Sequence, residues 1–323
     1  MALAWLRVLT GLGIIGVLAW QLGTRALLDG LRVVDPRTAA VALAIGLGTT
    51  VCSAARWRLV ARRLGLRLPL RAGVADYYRA LFLNAVLPAG VLGDVHRAVR
   101  HGRQEGDLGR GVRAVMLERF AGQVVVMAVA VPVLLVRPAV VPARFHGALT
   151  VCAASVGAVG AVAAVLVTVA GRRRPVGRAS GSSRWRRASA ASLGDLRRGL
   201  LAPDAWPGIA LLSVLAFAGH LALFLVAARA AGVDAPAARL LPLLVLSLLA
   251  MGLPVNVGGF GPREGVAALA FGAAGLSAAQ GLTTSVVYGV LAFVASLPGA
   301  VVLLREIAAG RAAGRPAPAG STA

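Results

Sequence analysis

Asp76, Arg79, Asp94, Glu118, Arg119, Arg263 and Glu264 fall in or beside stretches that otherwise read as Ala, Leu, Val and Gly. An ionised group at membrane depth is costly, so such residues pair with one another or face a polar cavity. A guanidinium in that setting can grip a phosphate or carboxylate through two parallel hydrogen bonds, and a neighbouring carboxylate can position or release it. The chemistry on offer is capture of an anionic group. The plainer alternative is a closed set of structural Arg–carboxylate pairs, and the two readings can coexist. We expect Arg79, Arg119, Asp94 and Glu118 to meet inside the protein, with Arg263 and Glu264 as their counterpart from the second half of the chain.

The elements that must hold these groups are unusual. "LPAGVLGD", residues 87 to 94, and "LPVNVGGFGPREG", residues 253 to 265, each break an apolar run with Leu-Pro, then glycines, then an acid. Pro88 and Pro254 cannot donate a backbone hydrogen bond, while Gly90, Gly93, Gly258, Gly259 and Gly261 relax the backbone. Unwound backbone in a membrane is tolerated only where it is buried in protein or lines a watery cavity. A helix that restarts after such a break aims free amides and a positive dipole end into that cavity, which suits an anion. A simple loop between two ordinary helices is the bland reading of either break alone.

Composition sets the class. Of 323 residues, 58% are hydrophobic and only 14% charged, a balance foreign to soluble domains. Apolar windows of ~20 residues recur, enough to cross a hydrocarbon core of ~30 Å. The sequence therefore predicts an all-α, polytopic membrane bundle, with full spans near 3–22, 39–60, 113–136, 147–170, 206–230 and 281–304. Shorter apolar stretches near 72–88 and 239–254 end at the two Leu-Pro breaks. "MALAWLRVLTGLGIIGVLAWQLG" carries one charge and no clean cleavage site, so it reads as a retained first helix.

The net charge of +22 comes from 34 basic residues, all Arg, against 12 acids. Most arginines cluster in loops: Arg56, Arg58, Arg62, Arg63, Arg67 and Arg71; Arg97, Arg100, Arg103 and Arg110; and nine from Arg172 to Arg198. Those sides are expected to be cytoplasmic, with both termini on the cytoplasmic side of a cell (inner or plasma) membrane. Segments 23–38, 137–146 and 231–238 carry few arginines and belong outside. Segment 72–95 then enters and leaves from the cytoplasmic side, whereas 239–276 lies between an outer loop and the last inward span. Two interrupted segments in corresponding places, pointing in opposite directions, are the sequence sign of an inverted repeat with a binding site where the broken helices meet.

Other readings are weaker. His96 and His101 do not share a helix face, His146 and His220 stand alone, and Cys52 and Cys152 lie inside apolar spans, so no metal site or disulfide framework is expected. Ser182 and Ser183 have no partnered His or Asp, so nucleophilic catalysis lacks support. Asp29 and Asp35 are the only acids that a membrane glycosyltransferase could offer on an outer loop, and capping of the turn "RALLDGLRVVDP" explains them better. No nucleotide-binding motif is present, no cofactor is expected, and one Trp among the arginines of loop 171–205 is too little aromatic surface for nucleic acid. That loop suits anionic headgroups instead.

"RWRLVARRLG", "LFLNAVLPAGVLGDVHRAVR", "AVMLERFAG" and "GLPVNVGGFGPREGVAALAFGAAGLS" occur in an order that resembles the lysylphosphatidylglycerol synthase transmembrane-region family, the flippase-like membrane part of the multiple peptide resistance factor. The resemblance spans roughly 40 to 305. It implies a bundle with two re-entrant elements that moves lipids between leaflets. The family's Leu-Pro-x-x-x-Gly-Gly-Asp-x-x-Arg falls on Pro88, Gly93, Asp94 and Arg97, with Leu92 in place of the first paired glycine. Its Glu-Arg falls on Glu118 and Arg119, and its Gly-x-Gly-x-x-Glu on Gly259, Gly261 and Glu264. A Tyr-Arg of the last span is Tyr288-Gly289 here, which removes one second-half cation.

Bifunctional members continue into a soluble aminoacyl-transferase domain, whereas this sequence closes on "GRPAPAGSTA". We therefore expect a stand-alone membrane domain over 1–305 and a disordered tail over 306–323. The expected activity is translocation of an anionic or polyprenyl-phosphate lipid by Arg79, Asn84, Pro88, Gly93, Asp94, Arg97, Glu118, Arg119, Pro254, Gly259, Gly261, Arg263 and Glu264. A membrane subunit that needs a partner enzyme is the second reading, and a free-standing enzyme the third.

Overall fold

A computed structural model describes residues 34–87, 91–136, 202, 204–251 and 262–313. The expected spans at 3–22 and 147–170, most of the loop 171–205, and Pro88, Gly90, Pro254, Gly258, Gly259 and Gly261 of the breaks lie outside them. The described chain is helical: α1 Pro36–Arg63, α2 Leu70–Val86, α3 Leu92–Gln104, α4 Leu108–Val136, α5 Trp206–Ala230, α6 Ala237–Met251, α7 Pro262–Ala273, α8 Ala278–Ser296 and α9 Pro298–Ala313. Four helical stretches are long and apolar enough to cross a membrane, Pro36–Arg63, Leu108–Val133, Trp206–Ala230 and Ala278–Ala308. They match the four spans expected in this part of the chain, and the protein is a multi-pass membrane protein.

Local chemistry sets the ends of these helices. Asp35 caps α1 by accepting the amide of Thr38 at 2.7 Å, with Pro36 in the first turn. Those bonds from Thr38 hold the Asp35 carboxyl below its usual range. Asp35 therefore starts a membrane span, while the amphipathic turn that the sequence led us to expect it to cap lies mostly outside the described residues. At the other end Gly65 takes φ 78°, and the amides of Gly65 and Leu66 return to the carbonyls of Arg62 and Ala61. That closure satisfies carbonyls that the helix end leaves free, and Arg62 and Arg63 complement its dipole.

The order of elements repeats. A long helix, two short ones and another long helix form α1 to α4, with 28, 17, 13 and 29 residues, and α5 to α8 repeat the order with 25, 15, 12 and 19. The short pairs are the two broken segments. Along α1, Thr49 meets Gly219, Arg56 meets Ser213 and Leu59 meets Gly208, so α5 runs antiparallel to α1. The long helices that open these two described series thus run in opposite directions.

Each half has its own apolar centre. Trp57, Val60, Leu64, Tyr77, Ala98 and Val115 pack together in the first half. Phe224, Leu240, Leu244, Phe271, Tyr288 and Leu291 do so in the second. The short helices dock tightly: a Cβ on Gly93 of α3 would sit 2.1 Å from the Ala80 carbonyl oxygen of α2, and one on Gly281 of α8 would sit 2.4 Å from that of Ala267 in α7. Only glycine permits such backbone approach.

The boundary expected between a membrane domain and a disordered tail at residue 306 falls inside α9. Pro298 restarts a helix immediately after α8, and Glu306 is held by arginines of α2 and α3. Residues 306–313 of the expected tail are helical because the first turns of α9 pack on α2, where Gly299 lies against Tyr78, and the Gly/Pro/Ala-rich run 314–323 lies outside the described residues.

Candidate functional site: a buried charge cluster in the first half

Glu118 lies on α4, one residue before Arg119, so the two side chains leave the helix about 100° apart. Glu118 is fully buried and accepts hydrogen bonds from three directions. Arg56 of α1 reaches one of its oxygens through Nε at 2.9 Å and through Nη2. Tyr77 of α2 approaches the same oxygen at 3.3 Å, and Arg97 of α3 donates Nη2 to the other at 2.7 Å. One carboxylate thus ties together the four helices of the first half.

Arg97 extends the cluster. Its Nε donates to Asp94 at 2.8 Å, one helical turn back on α3. Its guanidinium carbon lies 4.8 Å from the ring centre of Trp57 and 4.4 Å from that of Tyr77, so two aromatic faces attract the cation. Asp94 also accepts from Arg119 and, at 3.0 Å, from the Asn84 amide nitrogen. The Asn84 oxygen in turn takes the Gly93 amide at 2.7 Å, satisfying one of the free donors at the start of α3. Gly122, one turn beyond Glu118, leaves room for Arg56: a Cβ there would lie 3.1 Å from its guanidinium.

Three guanidiniums, from Arg56, Arg97 and Arg119, face two carboxylates, from Asp94 and Glu118. Among the described residues one positive charge is left in excess. Arg56 and Arg97 are buried, whereas the Arg119 side chain is 48% exposed, so of these three guanidiniums Arg119 is the one an outside anion can reach.

Arg79 does not join this cluster. It pairs with Asp76 at 3.0 Å and with Glu306 at 2.6 Å, beside Arg100. The reason is helical geometry: Arg79 and Asn84 are five residues apart on α2 and therefore point about 140° apart, so only one can face Asp94. Arg97 and Arg100, grouped by sequence with cytoplasmic loop arginines, belong instead to packed networks.

The second half repeats the idea with fewer charges. At the start of α7, Arg263 and Glu264 pair with each other. Arg263 donates Nε to the Ser285 hydroxyl at 2.9 Å and Nη2 to the Ser285 carbonyl at 3.1 Å, and its guanidinium lies 5.0 Å from the ring centre of Tyr288. Ser285 donates to Glu264 at 3.2 Å. Tyr288, in the motif lacking its arginine, thus stacks on a cation supplied by the preceding helix. Its hydroxyl lies 3.3 Å from His220 Nδ1, so that histidine is joined to the second cluster and does not stand alone.

Sequence reasoning missed Arg56, Glu306, Ser285 and His220. A signal for Arg56 was present, because it lies within the apolar span expected at 39–60. Among the described residues no group of three or more His, Cys, Asp or Glu could hold a metal ion.

Comparison with curated proteins and with solved structures returns no match. A family model does match, and it covers residues 4–299, nearly the whole chain. By that match, over the same helices that carry both charge clusters, the chain belongs to the lysylphosphatidylglycerol synthase TM region family.

Proposed function

We propose that this protein is a lipid translocase that moves an anionic or phosphate-linked lipid between the leaflets of the cell membrane, with both termini in the cytoplasm. The observation that carries the reading is the surplus cation: Arg119, half-exposed, projects beside a network whose other members are neutralised and packed. A phosphate binding there completes the charge balance of the cluster without breaking Arg56–Glu118 or Arg97–Glu118. Its two oxygens match the guanidinium fork.

In this mechanism Arg119 receives the headgroup while Asp94 competes for the same guanidinium and releases it. The inverted halves supply alternating access by moving around the central cluster. No chemistry is performed on the lipid, and the protein acts without catalytic residues or cofactor. An ion or lipid gradient supplies any net uphill work.

The test is transbilayer movement of labelled anionic, zwitterionic and polyprenyl-phosphate lipids in liposomes holding the pure protein, with Arg119→Ala and Glu118→Gln alongside. Movement of an anionic lipid that Arg119→Ala abolishes in folded protein supports the reading. Absence of movement across the whole panel overturns it in favour of a membrane subunit that acts with a partner enzyme.

A further inference from the structure

α3 is too short to span a membrane, with 13 residues, and its two faces differ. Gly93, Arg97, Ala98, His101 and Gly102 are buried against α2 and α4. The opposite face, Leu92, Val95, His96, Val99, Arg100, Arg103 and Gln104, lines an open depression of about 550 Å³. These positions recur at helical spacing, so they form one continuous strip.

Polarity changes along that strip. Leu92 and Val95 are 43% and 54% exposed at the end next to the first break. Arg100 and Arg103 stand two to three turns further on. From Leu92 to Arg103 the helix rises about 16 Å. An apolar end and a cationic end at that separation match a phospholipid, with its acyl chains along Leu92, Val95 and Val99 and its phosphate at the arginines.

Arg100 already holds an anion in the geometry a phosphate diester would take. Its Nη1 and Nη2 donate to the two oxygens of Glu306 at 3.0 and 2.9 Å, a fork-on-fork pair. Glu306 also accepts from Arg79, which is buried and whose Nε and Nη1 have no hydrogen-bond partner among the described residues. Among the described residues nothing pairs with Arg103.

We propose that the outer face of α3 is a docking groove for a phospholipid with an anionic headgroup, in which the headgroup phosphate displaces Glu306 from Arg100 and is held by Arg100 and Arg103. This rests on the reading of the protein as a lipid translocase and names where its substrate class docks. Glu306 is the competing carboxylate, bound to Arg100 when no lipid is docked. Asp94, on the same helix about 14 Å below Arg103, places the central cluster within one headgroup transfer of the groove.

The experiment places a photo-crosslinking amino acid at Val95 of the full-length chain in vesicles of equimolar phosphatidylglycerol and phosphatidylcholine, and reads lipid adducts by mass spectrometry. Phosphatidylglycerol adducts are expected to dominate, and Arg103→Ala to reduce that preference by about fivefold, the effect of one arginine near a membrane surface. Glu306→Gln is expected to raise phosphatidylglycerol adducts, an increase that a purely structural contact would not give. Equal labelling by the two lipids, a preference indifferent to Arg103→Ala, or a fall with Glu306→Gln in folded protein overturns the groove. Arg119→Ala in the same vesicles separates the two ideas: lost transport with intact adducts keeps both, adducts from a protein that never transports keep the groove alone, and transport without selective adducts keeps the translocase alone.

Discussion

Asn84 Oδ1 accepts the Gly93 amide at 2.7 Å while its nitrogen donates to Asp94 at 3.0 Å, so one side chain at the end of α2 grips the first turn of α3 across the Leu-Pro break. The helix ends on either side of the break are thus tied by a single side-chain amide. Asn84→Ala leaves the Gly93 amide without this partner and Asp94 one donor short. The expected cost is about 1–3 kcal/mol, read as a lower midpoint of unfolding in detergent. Asn84→Asp, which keeps the acceptor but sets a second carboxylate beside Asp94, is expected to fall at least as far.

Glu118→Ala leaves Arg56 without a carboxylate and Arg97 with Asp94 alone, both buried in the bundle interior. Removal of one member of a buried pair typically costs about 3–5 kcal/mol, and this carboxylate serves two arginines. Arg119→Ala removes a half-exposed group and is expected to be much milder. Unfolding midpoints of the two variants, compared side by side, check the ranking. Equal losses would show that the cluster is not organised around Glu118.

Gly93→Ala is expected to destabilise by about 1–3 kcal/mol and to loosen α3 from α2, because its methyl group would meet the Ala80 carbonyl oxygen. Gly265→Ala is the control: the same change, in α7, meets nothing within 4 Å. Protease cleavage within residues 97–110 should accelerate in the first variant and stay unchanged in the second.

His101 is buried on α3, with its ring edge-on to Trp57 at 5.3 Å and Nε2 unpartnered. Burial pushes its pKa down from the ordinary 6.5. On falling pH the unfolded chain therefore takes up this proton before the folded one, and folding stability declines below about pH 6.5. His96 acts in the same direction: its own burial, and then the charges of Arg79 and Arg100, outweigh Asp76 and Glu306. His101→Phe is expected to flatten, without abolishing, the drop in unfolding midpoint between pH 7.5 and 5. A drop of unchanged size would exclude His101 as its source.

Much of this fold was legible because long apolar runs and Leu-Pro breaks report directly on backbone hydrogen bonding in a membrane. Glu118 was legible for the same reason, as an acid inside an apolar span. Arg56 was hidden by the arginines that follow it, since positive-inside clustering and burial produce similar local sequence and differ only in depth. Arg79 was misplaced because depth along a helix is readable from sequence while the neighbour it faces is not. Glu306 was lost to a composition argument: the Gly and Pro that follow residue 313 drew the tail boundary too early across an Ala-rich helix former, and the ion pairs that fix α9 come from residues more than 200 positions away. His220 and Tyr288 meet only through the packing of α5 on α8.

The inversion of the two halves carries an energetic consequence. A frame whose halves exchange roles rests equally in its two end states only if both halves hold the same charges. Here the first half sets Arg56, Arg97 and Arg119 against Asp94 and Glu118, and the second sets Arg263 against Glu264. In the translocase we propose, the two end states are therefore not degenerate, and the resting equilibrium is tilted toward one face of the membrane by the sequence itself, before any gradient acts.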